Sequence, residues 1–226
     1  MNGKQAAGYL AAEWVKDGMT VGLGTGSTAY FTIEKLGERV AEGLKITAIA
    51  TSEASEELAL KYNIPLLKAS EVDKLDIAID GADELDSQLN LIKGGGAALL
   101  REKLVALHSD QFIVVADGSK VVDQLGAFKL PIEVVPFCYE WTLHTLRESY
   151  PVPFEVRMKG QDIVVTDNGN YIIDASFGRI ESPQQLADEL KMITGVVDHG
   201  LFIGIAAKAV VGYEDGRTEI IEGNLK

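Results

Sequence analysis

The chain has 226 residues, of which 46% are hydrophobic and 24% charged, and 34 acidic against 21 basic side chains give a net charge of −13. This length suits one large α/β domain, or one domain with a smaller satellite. Phosphate-backbone binding needs clustered Lys and Arg, so the charge excludes nucleic acid and an anionic membrane surface as natural partners. A single cysteine excludes an intrachain disulfide and favours a reducing compartment.

No membrane-spanning segment is visible in the sequence. The longest apolar stretch, residues 201–207, is far shorter than the ~20 residues that a spanning helix needs. Residues 1–16 lack a compact apolar region and are typical of a surface helix. The sequence therefore predicts a cytoplasmic protein.

The first half of the chain alternates short β-branched runs with helical patterns. We expect strands at 19–23, 46–50, 75–79 and 112–116, and helices at 28–42, 53–62 and 97–108. Apolar strands separated by helices of this length are typical of a parallel sheet covered on both faces. This half is predicted to be a doubly wound α/β layer structure.

The pattern changes near residue 130. We expect a helix at 139–149, strands at 154–158, 163–166 and 171–174, a helix at 183–193 and a strand at 196–197. Asn168-Gly169 predicts a two-residue hairpin between the second and third of these strands. The stretch is typical of a small antiparallel α+β unit, and strands at 203–211 and 218–221 are expected to rejoin the first sheet.

A glycine-rich segment, Gly22-Leu-Gly-Thr-Gly-Ser-Thr28, follows the first predicted strand. Glycines let the backbone approach a ligand closely, and free N–H groups at a helix N-terminus favour a phosphate. Ser27 and Thr28 add hydroxyl groups and can cap the helix. The segment fits neither the dinucleotide fingerprint nor the P-loop, so it indicates a small phosphate ester or else only a tight turn.

Two carboxylates, Asp80 and Asp83, follow the third predicted strand on the turn Asp80-Gly-Ala-Asp83. Carboxylates at a strand end can bind sugar hydroxyls, transfer protons or hold Mg²⁺. Turn formation is the alternative, because Asp and Gly are common turn residues. A metal site is disfavoured, since no other clustered ligands accompany the pair.

Lys93 precedes three glycines, Gly94, Gly95 and Gly96, which lead into the next predicted helix. Consecutive glycines cost backbone entropy, so they indicate close ligand approach or a mobile loop, unless they are only a flexible connector. The lysine could stabilise an anion. Lys120 follows another strand and is expected near the same sheet edge, although it could equally be a solvated lysine.

The helix after these glycines does not by itself point to a catalytic residue. Its periodicity puts Leu100, Leu104 and Leu107 on one face, and Glu102 falls on the opposite side. The charged run 101–103 can be interpreted as a solvated face.

Taken together, these segments resemble ribose-5-phosphate isomerase, type A. The resemblance rests on six stretches in family order, 24–28, 80–84, 92–103, 130–136, 165–170 and 200–202. It implies a Rossmann-like domain, with a mostly parallel sheet and helices on both faces, plus a smaller ferredoxin-like α+β domain. The expected division is 1–129 with 204–226 for the first domain and 130–203 for the second.

The resemblance also implies an activity and a set of site residues. The activity is interconversion of D-ribose 5-phosphate and D-ribulose 5-phosphate in the non-oxidative pentose phosphate pathway, without a metal or cofactor and in a homo-oligomer, a dimer or tetramer. Glu102 becomes the proton-transferring base, with Asp80, Asp83 and Lys93 at the reacting end of the sugar. The implied substrate-binding residues are Thr25, Gly26, Ser27, Thr28, Gly81, Ala82, Gly94, Gly95, Gly96, Lys120 and Lys4.

Two other functions remain open from the sequence. One is a non-catalytic sugar-phosphate sensor, and the other is a different enzyme on a similar scaffold, such as an amino-sugar phosphate deaminase or a transferase with a glutamyl nucleophile. Taken over the whole chain, the charge of −13 argues against an anionic substrate. Binding depends on the local field, however, and helix N-terminal amides with Lys93 and Lys120 could form a small positive pocket.

Overall fold

The structure, a computed structural model, describes residues 2–223. Its helices are α1 (Gly3–Ala12), α2 (Ala29–Ala41), α3 (Glu53–Lys61), α4 (Leu99–Leu107), α5 (Tyr139–Ser149) and α6 (Pro183–Lys191). Its strands are β1 (Thr20–Leu23), β2 (Thr47–Ala50), β3 (Leu75–Gly81), β4 (Glu84–Leu85), β5 (Leu91–Ile92), β6 (Ser109–Asp117), β7 (Leu130–Val134), β8 (Phe154–Val156), β9 (Met158–Lys159), β10 (Asp162–Ile163), β11 (Tyr171–Ala175), β12 (Val196–His199), β13 (Leu201–Phe202), β14 (Lys208–Gly212) and β15 (Thr218–Glu222). Positions 1 and 224–226 of the predicted domain ranges lie outside the described residues. Across residues 2–223, no helix combines the length and hydropathy needed to cross a bilayer.

The main sheet has six strands in the order β15-β14-β6-β3-β1-β2. The strands are parallel except β15, which pairs antiparallel with β14 at the edge. The C-terminal strands therefore rejoin the first sheet, as the sequence predicts, although β14 begins at Lys208 rather than at residue 203. The mostly parallel sheet confirms the Rossmann-like expectation.

Both faces of the main sheet are buried by apolar side chains. Ile77 and Ile79 of β3 point to a core that includes residues of α1, α2 and α3. The residue between them, Ala78, points to a second core with Ala106 of α4. Successive strand residues alternate between faces, and burial of both faces explains why the strands read as continuous apolar runs.

The second sheet is antiparallel and has the order β12-β7-β11-β8. Along the chain its elements run β7-α5-β8-β11-α6-β12, which is the split βαβ arrangement of a ferredoxin-like fold. Leu146 of α5 and Leu190 of α6 are buried in one core with Ile132 of β7 and Ile173 of β11. The expectation of a ferredoxin-like unit is confirmed.

The predicted two-residue hairpin at Asn168-Gly169 is wrong. The ladder partners of β11 are β7 and β8, and only an isolated bridge joins Val165 to Tyr171. The Thr166 N–H donates to the Asn170 carbonyl, 2.8 Å away, so three residues form the connection. The reason is tertiary: Thr166 and Asn170 also bind the buried Glu133 carboxylate, 2.9 Å from each.

A three-stranded sheet that the sequence does not predict joins the two larger ones. It has the order β13-β5-β4, with strands of only two residues each. Such short strands carry no periodicity to detect. β13 follows the second sheet along the chain but pairs with β5, which directly precedes Lys93. The division at 129/130 and 203/204 stays a prediction.

Candidate active site

The predicted site residues meet at the carboxyl edge of the main sheet. β1 lies between β2 and β3, so the strand order reverses at β1, and ligands bind at such switch points. The loops after β1, β3 and β6 surround a cavity of about 120 Å³ there. Its lining residues are Lys4, Thr25, Gly26, Ser27, Thr28, Gly81, Ala82, Asp83, Lys93, Gly94, Gly95, Gly96, Glu102 and Lys120. These are the predicted site residues without Asp80.

Asp80 lies behind the cavity wall, where it is 2% exposed. Its Oδ1 accepts from the backbone N–H groups of Thr25, at 2.9 Å, and Gly81, at 2.7 Å. A Cβ at Gly24 would lie 2.5 Å from the Asp80 Cα, so only glycine allows this approach of the two loops. Asp80 therefore ties the loop after β1 to the end of β3.

The Lys93 ammonium is the centre of the site and is also 2% exposed. Its Nζ lies 2.5 Å from the Gly81 carbonyl oxygen, 3.1 Å from Asp80 Oδ2 and 3.3 Å from Glu102 Oε1. Charges this deeply buried are stable only when paired, and here one ammonium serves two carboxylates. Glu102 Oε2 has no hydrogen-bond partner in the described structure.

Burial and mutual repulsion change the proton affinity of these groups. Burial, with the nearby Asp80 carboxylate, raises the pKa of Glu102 to about 8, although Lys93 opposes this. Burial also raises the pKa of Asp80. Burial alone would lower the pKa of Lys93, but Asp80 and Glu102 outweigh it and hold that pKa above its ordinary value. A carboxylate with a pKa near neutrality is suited to proton transfer.

The orientation of α4 differs from what the apolar pattern suggests. Leu104 and Leu107 are 50% and 57% exposed, whereas Glu102 is 4% exposed. The neighbours of Glu102 anchor the helix: Arg101 donates to the Asp167 carbonyl at 2.7 Å, and Lys103 donates to the His199 carbonyl at 2.7 Å. The interpretation of 101–103 as a solvated face is therefore wrong, because Arg101 and Lys103 bind the ferredoxin-like unit and Glu102 faces the cavity.

The glycine loop after β5 is hydrogen-bonded to the second acidic residue of the cavity, Asp83, which lies between β3 and β4. Asp83 Oδ2 accepts from the Gly95 N–H at 2.8 Å. A Cβ at Gly95 would lie 2.6 Å from Asp83 Oδ1. Gly94 has φ +98°, and its carbonyl accepts from the Ala97 N–H at 3.0 Å, which closes a tight turn before α4. The loop is thus held to Asp83.

The opposite part of the cavity is basic and rich in hydroxyls. Lys4 Nζ donates to Ser27 Oγ at 3.0 Å, and Lys120 also lines the wall. Thr28 precedes α2, but its side chain makes no capping hydrogen bond, so the expected cap is wrong and this hydroxyl remains for another acceptor. A helix N-terminus with hydroxyls and lysines favours a phosphate.

Sequence reasoning missed the polar residues that support the loop after β1. Thr25 Oγ1 lies 2.7 Å from Thr51 Oγ1 and 2.8 Å from Ser52 Oγ. The Ser55 hydroxyl donates to the Gly24 carbonyl at 2.7 Å. These residues follow β2 at the same sheet edge, so the rule that ligands bind beyond strand ends could have nominated them.

A doubly wound sheet with a small polar cavity at its switch point, glycine-rich walls, lysines and paired carboxylates defines an enzyme that acts on a small phosphorylated substrate. Comparisons with known proteins give the class of reaction. The family model of ribose 5-phosphate isomerase A (phosphoriboisomerase A) matches residues 47–216. A ribose-5-phosphate isomerase A of Bacillus mycoides is 52% identical over 220 residues, covering 97% of this chain and 99% of that protein.

Solved structures agree over nearly the whole chain. A D-ribose-5-phosphate isomerase in complex with phospho-erythronic acid superposes with a TM-score of 0.93 at 40% identity, covering 98% of this chain and 100% of that one. A ribose 5-phosphate isomerase from Plasmodium falciparum gives 0.95 at 38% identity, covering 98% of each chain. The chain belongs to the ribose 5-phosphate isomerase A family, whose aldose–ketose isomerases interconvert ribose 5-phosphate and ribulose 5-phosphate. The family resemblance is confirmed, and the matches support this reading over the sensor, deaminase and transferase alternatives.

Proposed function

We propose that Glu102 is the base that carries a proton between C2 and C1 of the open-chain sugar. The observation that carries this proposal is the environment of its carboxylate. The Glu102 side chain lines the cavity. One of its oxygens is paired with Lys93, 3.3 Å away, while the other is buried and has no partner among the described residues. A buried acceptor without a partner is costly, so it is expected where a substrate supplies the proton.

The isomerisation needs only proton transfers. Glu102 takes the proton from C2 of ribose 5-phosphate, and the C–H electron pair forms a C1=C2 double bond while the charge moves to O1. The protonated Glu102 then returns the proton to C1. O1 gains a proton and O2 loses one, so the carbonyl is now at C2. One carboxylate above a planar enediolate performs both transfers.

The enediolate charge needs a preorganised cation, and Lys93 is suited to this role. Its ammonium is buried and already oriented by Gly81 and Asp80, so little reorganisation accompanies the reaction. Asp80 acts through Lys93 as a positioning residue, because it does not line the cavity. Asp83 does line it, and we assign to Asp83 the proton exchange between the sugar oxygens or the assistance of ring opening.

The phosphate is assigned to the basic end of the cavity. Ser27, Thr28, Lys4 and Lys120 supply hydroxyl and ammonium donors there. Binding energy from this remote group anchors the reacting carbons against Glu102. A solved relative holds phospho-erythronic acid, which carries a phosphate and a carboxylate at opposite ends of a short chain, and this supports a site that accepts a phosphate at one end and a negative charge at the other.

The test is the variant Glu102→Gln, which keeps the shape of the side chain and removes its basicity. We expect kcat to fall by about three orders of magnitude, while phospho-erythronic acid binds within about threefold of its normal affinity. Calorimetric titration and a ketose assay measure the two quantities. Near-normal turnover would remove Glu102 from the base role.

We also propose the setting in which the enzyme acts. The substrate pair places it in the pentose phosphate pathway, and the single cysteine supports a reducing, cytoplasmic compartment. Phe137, Trp141 and Met192 are 72–83% exposed, which supports a homo-oligomer, and light scattering distinguishes a dimer from a tetramer. We retain the division into 1–129 with 204–226 and 130–203, which limited proteolysis at the connections tests.

A further inference from the structure

One arginine of the ferredoxin-like unit reaches into the catalytic half of the molecule. Arg157 lies between β8 and β9, and its guanidinium pairs with Asp174 of β11, with Nε 2.8 Å from Oδ2 and Nη2 2.5 Å from Oδ1. Nη1 of the same guanidinium donates to the Gly94 carbonyl at 2.8 Å and to the Gly95 carbonyl at 3.1 Å. The side chains of Arg157 and Asp174 are 16% and 14% exposed, so the fork is largely shielded from water.

These contacts fix two successive peptide groups. In a trans peptide the C=O and N–H point to opposite sides. The Gly94 carbonyl points to Arg157, and the N–H of that peptide binds Asp83 at 2.8 Å. The Gly95 carbonyl also points to Arg157, so the N–H of Gly96 is turned away from the arginine. Gly96 lines the cavity, and its N–H has no acceptor among the described residues.

The contacts from Arg157 matter because the glycine backbone of this loop can adopt many conformations. Three consecutive glycines can exchange peptide orientations at low cost, and a flipped peptide would point a carbonyl oxygen toward the enediolate. A negative end of a dipole beside a developing negative charge would oppose the reaction. The planar, permanently charged fork of Arg157 can bind Asp174 and two carbonyls at once, which a lysine cannot match in geometry.

We propose that Arg157, oriented by Asp174, is a positioning residue that holds the Gly94–Gly96 loop so that the Gly96 N–H donates to the enediolate oxygen and the Gly95 N–H orients Asp83. This inference rests on the proposed function, because it assumes that the reacting end of the sugar lies between Glu102 and the glycine loop. It adds a role for a residue outside the cavity.

The test compares Arg157→Met with Arg147→Met. Arg147 belongs to the same unit and donates to the Phe154 carbonyl at 3.1 Å, so its variant removes an arginine–carbonyl contact that does not involve the glycine loop. We expect Arg157→Met to lower kcat by about 10- to 100-fold with KM changed less than about threefold. Arg147→Met should keep kcat within about twofold, and circular dichroism with thermal unfolding verifies that both variants are folded.

A second readout separates positioning from a general structural role. Phospho-erythronic acid places a carboxylate at the reacting end, whereas inorganic phosphate occupies only the phosphate end. Arg157→Met should lower the affinity for phospho-erythronic acid by about the same factor as it lowers kcat. The inhibition constant of inorganic phosphate should stay within about twofold of its normal value. Asp174→Asn keeps the guanidinium but removes the carboxylate that orients it. This variant should lower kcat and the affinity for phospho-erythronic acid in the same direction as Arg157→Met, but by less.

Three results would overturn the inference. These are normal turnover in Arg157→Met, equal losses in both arginine variants, and an equal loss of affinity for the acid and for inorganic phosphate. The Glu102→Gln variant keeps the two proposals apart. If it retains turnover, the base assignment fails whatever Arg157 does; if it abolishes turnover while Arg157→Met stays active, only the role of Arg157 fails.

Discussion

The raised pKa of Glu102 leads to a prediction in which two substitutions shift one titration in opposite directions. Burial and Asp80 raise this pKa to about 8, and Lys93 opposes them. Lys93→Met removes the opposing ammonium, so the pKa of Glu102 should rise further. Asp80→Asn removes the repelling carboxylate, so the same pKa should fall. Glu102 acts as a base only when ionised, and kcat/KM of the unmodified enzyme should therefore increase with pH up to about 8.

The size of the shift follows from the distance between the charges. Lys93 Nζ and Glu102 Oε1 are 3.3 Å apart, which corresponds to an attraction of about 5 kcal/mol at an effective dielectric constant of 20. One pH unit corresponds to about 1.4 kcal/mol. The full attraction is an upper bound, because the ammonium also faces Asp80. We therefore expect Lys93→Met to raise the pKa of Glu102 by about one to three pH units.

The titration can be followed without turnover, which matters because both variants will be slow. Carbon-13 NMR of glutamate-labelled protein reports each side-chain carboxyl group, and Glu102→Gln identifies the resonance by its loss. Lys129→Met is the matched control, since the exposed Lys129 pairs with Glu155 and does not contact the cavity or α4. A pKa that falls in Lys93→Met, or that moves the same way in both variants, would refute the electrostatic account.

Three further predictions concern stability, packing and metal dependence. The pKa of the Glu102 carboxyl is 4.5 in the unfolded chain and about 8 in the folded protein, so the unmodified protein loses stability as pH rises through this window. The Tm of Glu102→Gln, measured by calorimetry, should therefore rise relative to the Tm of the unmodified protein between pH 5 and 9. A Tm difference that stays constant over this range would contradict the prediction. Gly24→Ala places a Cβ against Asp80 and should lower kcat by at least about tenfold, whereas Gly81→Ala, whose Cβ meets nothing within 3.5 Å, should cost far less in the same assay. Activity should survive exhaustive EDTA treatment, because Asp80 and Asp83 already accept from backbone amides; a loss restored by Mg²⁺ would revive a metal site.

Local sequence patterns predict the parts of the site that belong to strand ends. The glycines after β1, the Asp80–Asp83 turn and the Lys93 loop each stand out because parallel strands end where ligands bind. The main sheet and the antiparallel α+β character of the second unit follow from periodicity in the same way, whereas the ferredoxin-like arrangement of that unit is what the family resemblance implies. These features depend on residues that are near one another in the chain, and a reading of short windows is enough to find them.

Glu102 shows where such reading fails. The apolar residues of α4 point to the wrong face, because Leu104 and Leu107 remain exposed while Glu102 is buried. What buries it is the distant ammonium of Lys93 together with the anchoring of Arg101 and Lys103 on the second unit. Only the family motif identifies Glu102 from the sequence, since pairing between distant segments leaves no periodic signal.

Two buried acidic side chains in the segments that match the family motifs lie outside the cavity and have a structural role. Glu84 accepts from the backbone N–H groups of Gly126, at 2.7 Å, and Phe128, at 2.5 Å, and so fixes the chain before β7. The Glu133 carboxylate accepts hydrogen bonds from the side chains of Thr166 and Asn170. These bonds hold the turn in which the Asp167 carbonyl accepts from Arg101. Motif residues outside the cavity thus connect the second unit to the helix that carries Glu102.

The net charge of −13 describes the surface and not the cavity. Three lysines and two carboxylates line the cavity, and Asp80 pairs with Lys93 at 3.1 Å behind its wall, so the charges at the site nearly cancel and the site does not share the acidity of the whole chain. Lys4 and Lys120 belong, with the hydroxyls, to the proposed phosphate end, whereas Lys93 faces Glu102 at the proposed reacting end. A small sugar phosphate can enter this local field, and a large polyanion meets the acidic surface first. The same charge therefore opposes the binding of nucleic acid and still permits an anionic substrate.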